Sequence, residues 1–368
     1  MISFRTPGLI NTHCHLRQDE EGYTGPSLVH DLIEHAVRGG AIALGIMPNP
    51  QAGVHAPHDG LHTAEDVAAY LKHMLETHGM MLTVLIKIVL ITEKTTQADI
   101  DACIAAGIHD GKIYPLDRTT GSDKLGVRDY HLLIPIVRHC GKVGMRVHMH
   151  PEHPLMDIHS RDAEYEFIAI ADMFMRATED VQTVFVWEHG TDSRCISFWK
   201  KWGATGRFYV TLTAHHLASD EDELFGDVRG ACKPPVKTRL DRSALCAFVL
   251  EGHSWVMAGL DDAPHDMAAK HPEDGRCVCG AYTAPFGLQL YAHALLSERP
   301  SKKEIEIFLD FTVHNAEELY GFRAGRNRFE LIREPFEIPL YYTAGSWKIP
   351  SFWGGRTIKW SLELPAAA

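Results

Sequence analysis

The feature that most constrains this chain is an alternation. Short apolar runs are followed, about eight times, by segments that carry an apolar stripe at helical spacing. The runs are Gly8–His15, Ala41–Pro48, Met81–Ile91, Gly107–Tyr114, Met145–His150, Thr183–His189, Phe208–Thr213 and Ser254–Asp261. Several, such as the stretch from Thr83 to Leu90, are close to continuously apolar. A strand with one wet face alternates in polarity, whereas a strand covered on both faces does not. These runs therefore suit a parallel sheet under helices. Between them, Val29–Arg38 sets Val29, Leu32, Ile33 and Ala36 on one stripe and stops at Gly39-Gly40. Thr63–Thr77 does the same with Val67, Tyr70, Leu71 and Met74, and Val127–Cys140 with Leu132, Leu133, Ile136 and Val137. Helical patterns also run through Thr96–Ala106, Arg161–Ala177, Asp192–Trp202, Asp241–Glu251, Ala281–Ser297 and Lys302–His314. Eight strand–helix units is the number that closes an α/β TIM (β/α)8 barrel. The expected division is one barrel domain over residues 1–368. Its C-terminal extension, 323–368, holds short apolar pieces at Phe329–Ile332 and Thr357–Leu362 that pack on the body as small strands.

Composition narrows the function. A formal net charge of -12 argues against nucleic acid or an anionic membrane as partner. No apolar run approaches the roughly 18 to 20 residues of a membrane span, and the first residues form no secretory apolar segment. The eight cysteines are scattered without a C-x-x-C pair, which fits reduced thiols and a cytoplasmic location. With 24 histidines in the chain, one histidine by itself is weak evidence.

In a barrel the chemistry gathers at the C-terminal ends of the strands. The first run ends in His13-Cys14-His15, with Arg17 two residues on. Two histidines at this spacing cannot share a helix face, but on a strand they point the same way and can hold one metal ion. Later ends carry Asn49, Lys112, His148, Glu188-His189 and Asp261-Asp262-Ala263-Pro264-His265. Each has an ordinary alternative: a solvated lysine, a hydrogen-bonded core histidine, a turn-capping aspartate. Their joint placement at successive strand ends is much harder to account for in that way.

The matching stretches are His13-Cys-His-Leu-Arg17, Met47-Pro-Asn49, Lys112-Ile-Tyr-Pro115 followed by Thr119-Thr120, Val147-His148, Glu188-His189, Thr213-Ala-His-His-Leu217, Cys232-Lys-Pro-Pro235 and Gly259-Leu-Asp-Asp-Ala-Pro-His265. Ala284-Pro285 and Trp360-Ser361 belong to the same set. In this order, from about residue 8 to about residue 363, the chain resembles the amidohydrolase superfamily and, within it, the short bacterial type of dihydroorotase. The resemblance implies two zinc ions, with His13 and His15 on the more buried one and His148 and His189 on the other. It implies that Lys112 is carboxylated to a bridging carbamate, and that Asp261 is a ligand and the general base and acid. Arg17, Asn49 and His265 would bind a substrate carboxylate, and Thr119 and Thr120 would lie on a loop over it. Lys233 and Cys279 fall in segments that present backbone groups to the substrate ring. The implied partner is a small acidic cyclic amide, and the implied assembly a homodimer. Zinc, manganese, cobalt and iron accept similar ligands, so the metal stays open.

The chain departs from the pattern at several points. Leu260 stands where a small polar residue is usual, Asp262 where serine is expected, and Lys233 where an apolar residue is expected. His150 stands where an acidic residue is common, and the loop after Asn49 is long. The alternatives are a hydantoinase-like or allantoinase-like enzyme, whose rings lack the carboxylate, and an inactive structural relative. The retained ligand set argues against the last. Cys277 and Cys279 supply only half of a four-coordinate site and read as ordinary thiols.

Overall fold

The computed structural model describes residues 2–78, 82, 84–118, 122–157, 160–273, 275, 277–325 and 329–364. A four-residue strand, β1 (Ser3–Thr6), precedes the barrel. Eight parallel strands follow in chain order: β2 (Leu9–Cys14), β3 (Ala41–Ile46), β4 (Val84–Leu90), β5 (Asp110–Ile113), β6 (Arg146–Met149), β7 (Phe185–Trp187), β8 (Phe208–Leu212) and β9 (Val256–Ala258). Each lies inside one of the eight apolar runs. β2, β3 and β5 are buried along their whole length, as strands under helices must be.

Local chemistry sets the helix boundaries. The helix Leu28–Arg38 starts at Ser27, whose hydroxyl accepts from the His30 N–H, and buries Leu28, Val29, Leu32, Ile33 and Ala36. Burying those five side chains contributes on the order of 10 kcal/mol before conformational entropy is subtracted. It ends at Gly39, where a β-carbon would stand 1.8 Å from the Ala284 carbonyl, so no larger residue fits that stop. Capping boxes at Thr96/Asp99 and Thr238/Asp241 start the helices Gln97–Ala105 and Arg239–Leu250.

Seven of the eight strand neighbours form parallel ladders, that of β2 with β3 interrupted by register shifts at Leu9/Ile10 and Asn11/Cys14; the eighth seam, between β9 and β2, closes differently. The Thr12 hydroxyl donates to the Ala258 carbonyl at 2.8 Å, and the Leu260 N–H to the Asn11 side-chain oxygen at 2.8 Å. The Asp261 N–H reaches the His13 carbonyl at 3.0 Å, and the His15 N–H the Asp262 carbonyl at 2.8 Å. The barrel is thus sewn shut by the residues of its first and last functional segments. Ile10, Ile42, Ile86, Ile88, Val186 and Met257 form one apolar cluster with Val313 and Ala316. Residues from β2, β3, β4, β7 and β9 can meet only through the barrel interior.

The tail ties both ends of the chain to the barrel. β10 (Phe329–Ile332) pairs antiparallel with β1 and with Ser361–Glu363. A hairpin of Tyr341–Ala344 and Trp347–Pro350 reaches the other rim, where the Trp347 indole donates to Glu20 at 3.0 Å. No helix among the described residues is long and apolar enough to cross a membrane.

Candidate metal centre and substrate cleft

The seam between β2 and β9 brings three ligating atoms together. His13 Nε2 lies 3.2 Å from His15 Nε2, and each lies within reach of Asp261 Oδ1, at 3.0 and 3.2 Å. Ligand atoms about 2.0 to 2.2 Å from one metal ion stand about 3 Å apart, so the donor set has the spacing of three corners of a coordination sphere. The other ring nitrogens are engaged from outside. His15 Nδ1 donates to Asn49 Oδ1 at 2.9 Å, and His13 Nδ1 faces Glu188 Oε2 at 3.2 Å. Such partners fix which nitrogen keeps its lone pair for a metal.

Both histidines are held neutral. Burial lowers the His13 imidazole and pulls His15 down to about 4, more than the neighbouring Asp261 carboxylate restores. Burial also works to raise Asp261, but His13 and His15 outweigh it and hold that carboxyl well below the usual carboxylate range. Neutral imidazoles and an ionised carboxylate are the forms that bind metal. Asp261 has φ 51° and His189 φ 41°, both in the left-handed region. Such a backbone costs about 1 to 3 kcal/mol and persists only where its surroundings impose it. Here the imposing contacts are the Asp261 N–H on the His13 carbonyl and, at 2.9 Å, the His189 N–H on the Thr211 hydroxyl. Behind His189, the buried Glu164 carboxyl, pushed up to about 7 chiefly by burial, accepts from the Trp187 indole at 3.2 Å and from Thr191.

On the opposite wall the structure corrects one assignment. His148 does not line the cleft. Its Nδ1 contacts Glu188 Oε1 at 2.9 Å and its Nε2 contacts Asp110 Oδ1 at 3.0 Å, one layer deeper in the barrel. His150 lines the cleft instead, its ring 4.5 Å from that of His189. Its Nε2 meets Glu152 at 2.8 Å, which leaves Nδ1 with the lone pair. Both histidines point inward, because side chains repeat with period two, but only the one beyond the strand end reaches the rim. Moving the motif by two residues also removes the departure noted at His150. The signal was in Val147-His-Met-His-Pro-Glu152, which offers two histidines of the same parity.

Lys112 is fully buried on β5 beside His148 in register, its Nζ against Glu188 and 4.8 Å from the Tyr114 ring centre. Burial holds its amine well below the ordinary lysine range. Lys112 Nζ, His13 Nδ1, His189 Nδ1 and Glu188 Oε2 are buried polar atoms without a well-formed hydrogen bond. Such a cluster is uncommon in a native interior, and a bound ion is one of the partners that would account for it. The donor atoms of His13, Glu188 and His189 also fall within 4.8 Å of one another, beside the His13–His15–Asp261 set. This chemistry fits divalent metal.

The cleft above is lined by His13, His15, Arg17, Asn49, His150, Lys233, Asp261 and Cys279, among others. Arg17 Nε donates to the Pro264 carbonyl at 2.9 Å, and its Nη2 lies 3.1 Å from His265 Nε2. His265 borders the adjoining cavity with Arg17 and also meets the Cys279 carbonyl at 3.0 Å. Thr119 and Thr120 lie outside the described residues. Two departures do not line the cleft. Leu260 packs in the wall, and Asp262, pushed up to about 7 by burial, binds the Thr283 hydroxyl at 2.8 Å and the Asn11 amide at 3.1 Å. Lys233 does line the cleft, and all eight cysteines are free thiols.

No family model matches the chain. Among curated proteins it is 30% identical over 329 residues to a dihydroorotase of Halorhodospira halophila, covering 87% of this chain and 89% of that one. It is 29% identical over 359 residues to a dihydroorotase of Pseudomonas fluorescens, covering 95% of each. Among solved structures, dihydroorotase of Saccharomyces cerevisiae in complex with 5-fluoroorotic acid superposes with TM-score 0.84 at 22% identity over 100% of both chains. A D-hydantoinase shares the fold at TM-score 0.73 and 13% identity, covering 98% of this chain and 82% of that one.

Proposed function

The chain belongs to the dihydroorotase family, and from that premise we propose that it interconverts dihydroorotate and N-carbamoyl-L-aspartate by reversible hydrolysis of the ring amide. The observation that carries this reading is the meeting of His13, His15 and Asp261 at 3.0 to 3.2 Å on the floor of a cleft that also holds Arg17. An amide hydrolase of neutral rings needs the first feature but not the second.

His13, His15 and Asp261 would hold one divalent ion, zinc in the reading that the family suggests. His150 and His189 would hold another, with Lys112 between them as a carbamate. When bound, the pair supplies Lewis acidity, polarising an amide carbonyl and acidifying water. Lys112 suits a carbamate because burial favours its neutral amine, the form whose lone pair attacks carbon dioxide with loss of a proton. Asp261, held well below the usual carboxylate range and so ionised, accepts the proton of the attacking water and returns it to the departing ring nitrogen. Arg17 is braced by Pro264 and His265, which leaves guanidinium hydrogens for a bidentate grip on the substrate carboxylate. Lys233 and the backbone around Cys279 border the ring, and Thr119 and Thr120 belong to the loop expected to close over it. A homodimer in the cytoplasm is the setting that accords with the family.

Metal-loaded protein should hydrolyse dihydroorotate in preference to hydantoin and allantoin. Turnover of a neutral ring with none of dihydroorotate would overturn the substrate and leave the hydrolytic centre standing.

A further inference from the structure

The inside of a (β/α)8 barrel is ordinarily filled by branched apolar side chains. Beside its apolar cluster of Ile10, Ile42, Ile86, Ile88, Val186 and Met257, this barrel also carries a row of charged and polar groups below the metal site. Glu188 Oε2 faces His13 Nδ1 at 3.2 Å and touches Lys112 Nζ, while its Oε1 meets His148 Nδ1 at 2.9 Å. His148 Nε2 meets Asp110 Oδ1 at 3.0 Å, and Asp110 takes a bidentate grip from Arg146 at 2.7 and 2.6 Å. Arg146 is itself anchored, by the Leu319 carbonyl at 3.2 Å and the face of Tyr320 at 5.0 Å. Asp110, Lys112, His148 and Glu188 are each at most 2% exposed.

The contacts from Arg146 through Asp110 and His148 to Glu188 are directional hydrogen bonds. The fork of Arg146 fixes the plane of the Asp110 carboxylate, which fixes the His148 ring, which in turn fixes the rotation of Glu188. Glu188 is the group against which both the His13 ring and the end of Lys112 rest. A leucine in place of His148 would fill the space but leave Glu188 free to turn. We infer that His148, Asp110 and Arg146 are positioning residues: with Glu188 they form a buried column that sets the orientation of His13 and Lys112 from below, and so the strength of the metal grip above. The inference rests on the metal-centre reading. It gives His148 a role of its own, outside the coordination sphere. Outer partners of this kind typically change metal affinity 10- to 100-fold when removed.

The test is Co2+ binding, read by competition with a chelating dye and by the visible absorption of the loaded protein, in the wild type and in His148→Leu, His148→Gln and Asp110→Asn. The column predicts that His148→Leu weakens the tighter ion about 10- to 100-fold and changes the Co2+ absorption bands. His148→Gln, which keeps a donor toward Glu188, should recover part of both. Asp110→Asn should move both readouts in the same direction by a smaller factor, although Asp110 touches neither His13 nor Lys112. It is isosteric and carries the test alone if His148→Leu does not fold. Unchanged affinity and spectra with only a lowered melting temperature would overturn the column and leave the metal centre standing. A wild type that binds no Co2+ would overturn both.

Discussion

His13 and His15 on β2, and His148 and His150 on β6, share a spacing and a station. In each pair the first histidine is the last-but-one residue of its strand and the second is the first residue beyond it. Yet the first pair delivers two nitrogens to Asp261, whereas the second sends one ring to the cleft and one into the barrel core. The difference lies in the neighbouring strands. Above His13 stand His15 and Asp261, and Glu188 lies behind it. Around His148 stand two carboxylates, Glu188 and Asp110, which take both its nitrogens. Period-two geometry says that a side chain points inward; the groups brought in by other strands decide what it does there.

The comparison can be broken or sharpened by substitution. The largest effect is expected at Lys112, which rests on Glu188 together with His13 and His148. Lys112→Ala should lose activity and bound metal together, with partial rescue by short carboxylic acids; full activity would rule out a lysine shared between two ions. Next is Arg17, beside the first pair but without a share in the metal. Arg17→Met should raise KM for dihydroorotate about 10- to 100-fold, the size of a lost charge-assisted contact. Metal content should stay intact, and an unchanged KM would point to another substrate. The smallest effect is on stability. Chelation of bound metal should lower the melting temperature by a few degrees, because an ion that binds only the folded state adds its binding free energy to folding. His15→Ala should shrink that shift, whereas a melting point insensitive to chelator would deny a resident metal centre.

Much of this was legible in the sequence, for reasons that differ by element. The eight barrel strands declare themselves because burial on both faces demands apolar runs, and the stripe Val29, Leu32, Ile33 and Ala36 because one helix face packs inward. The short β1 did not, since four residues with mixed exposure carry no pattern. His13, His15, His189 and Asp261 were visible as strand-end residues. Glu188 was visible in the same way, but its three contacts lie on three other strands and no spacing encodes them. The same holds for Asp262, which reads as a pocket residue by adjacency to Asp261 and instead faces Asn11 and Thr283 in the wall. His148 and His150 were equivalent by spacing alone; Asp110 and Glu188, brought in by other strands, separate them.

The most direct test of the account is therefore metal stoichiometry in the two halves of the second pair. Titration with Zn2+ and elemental analysis of the purified protein should find two ions per chain in the wild type and in His148→Ala, bound more weakly in the latter, and one in His150→Ala. Two ions retained in His150→Ala, with one lost in His148→Ala, would contradict it.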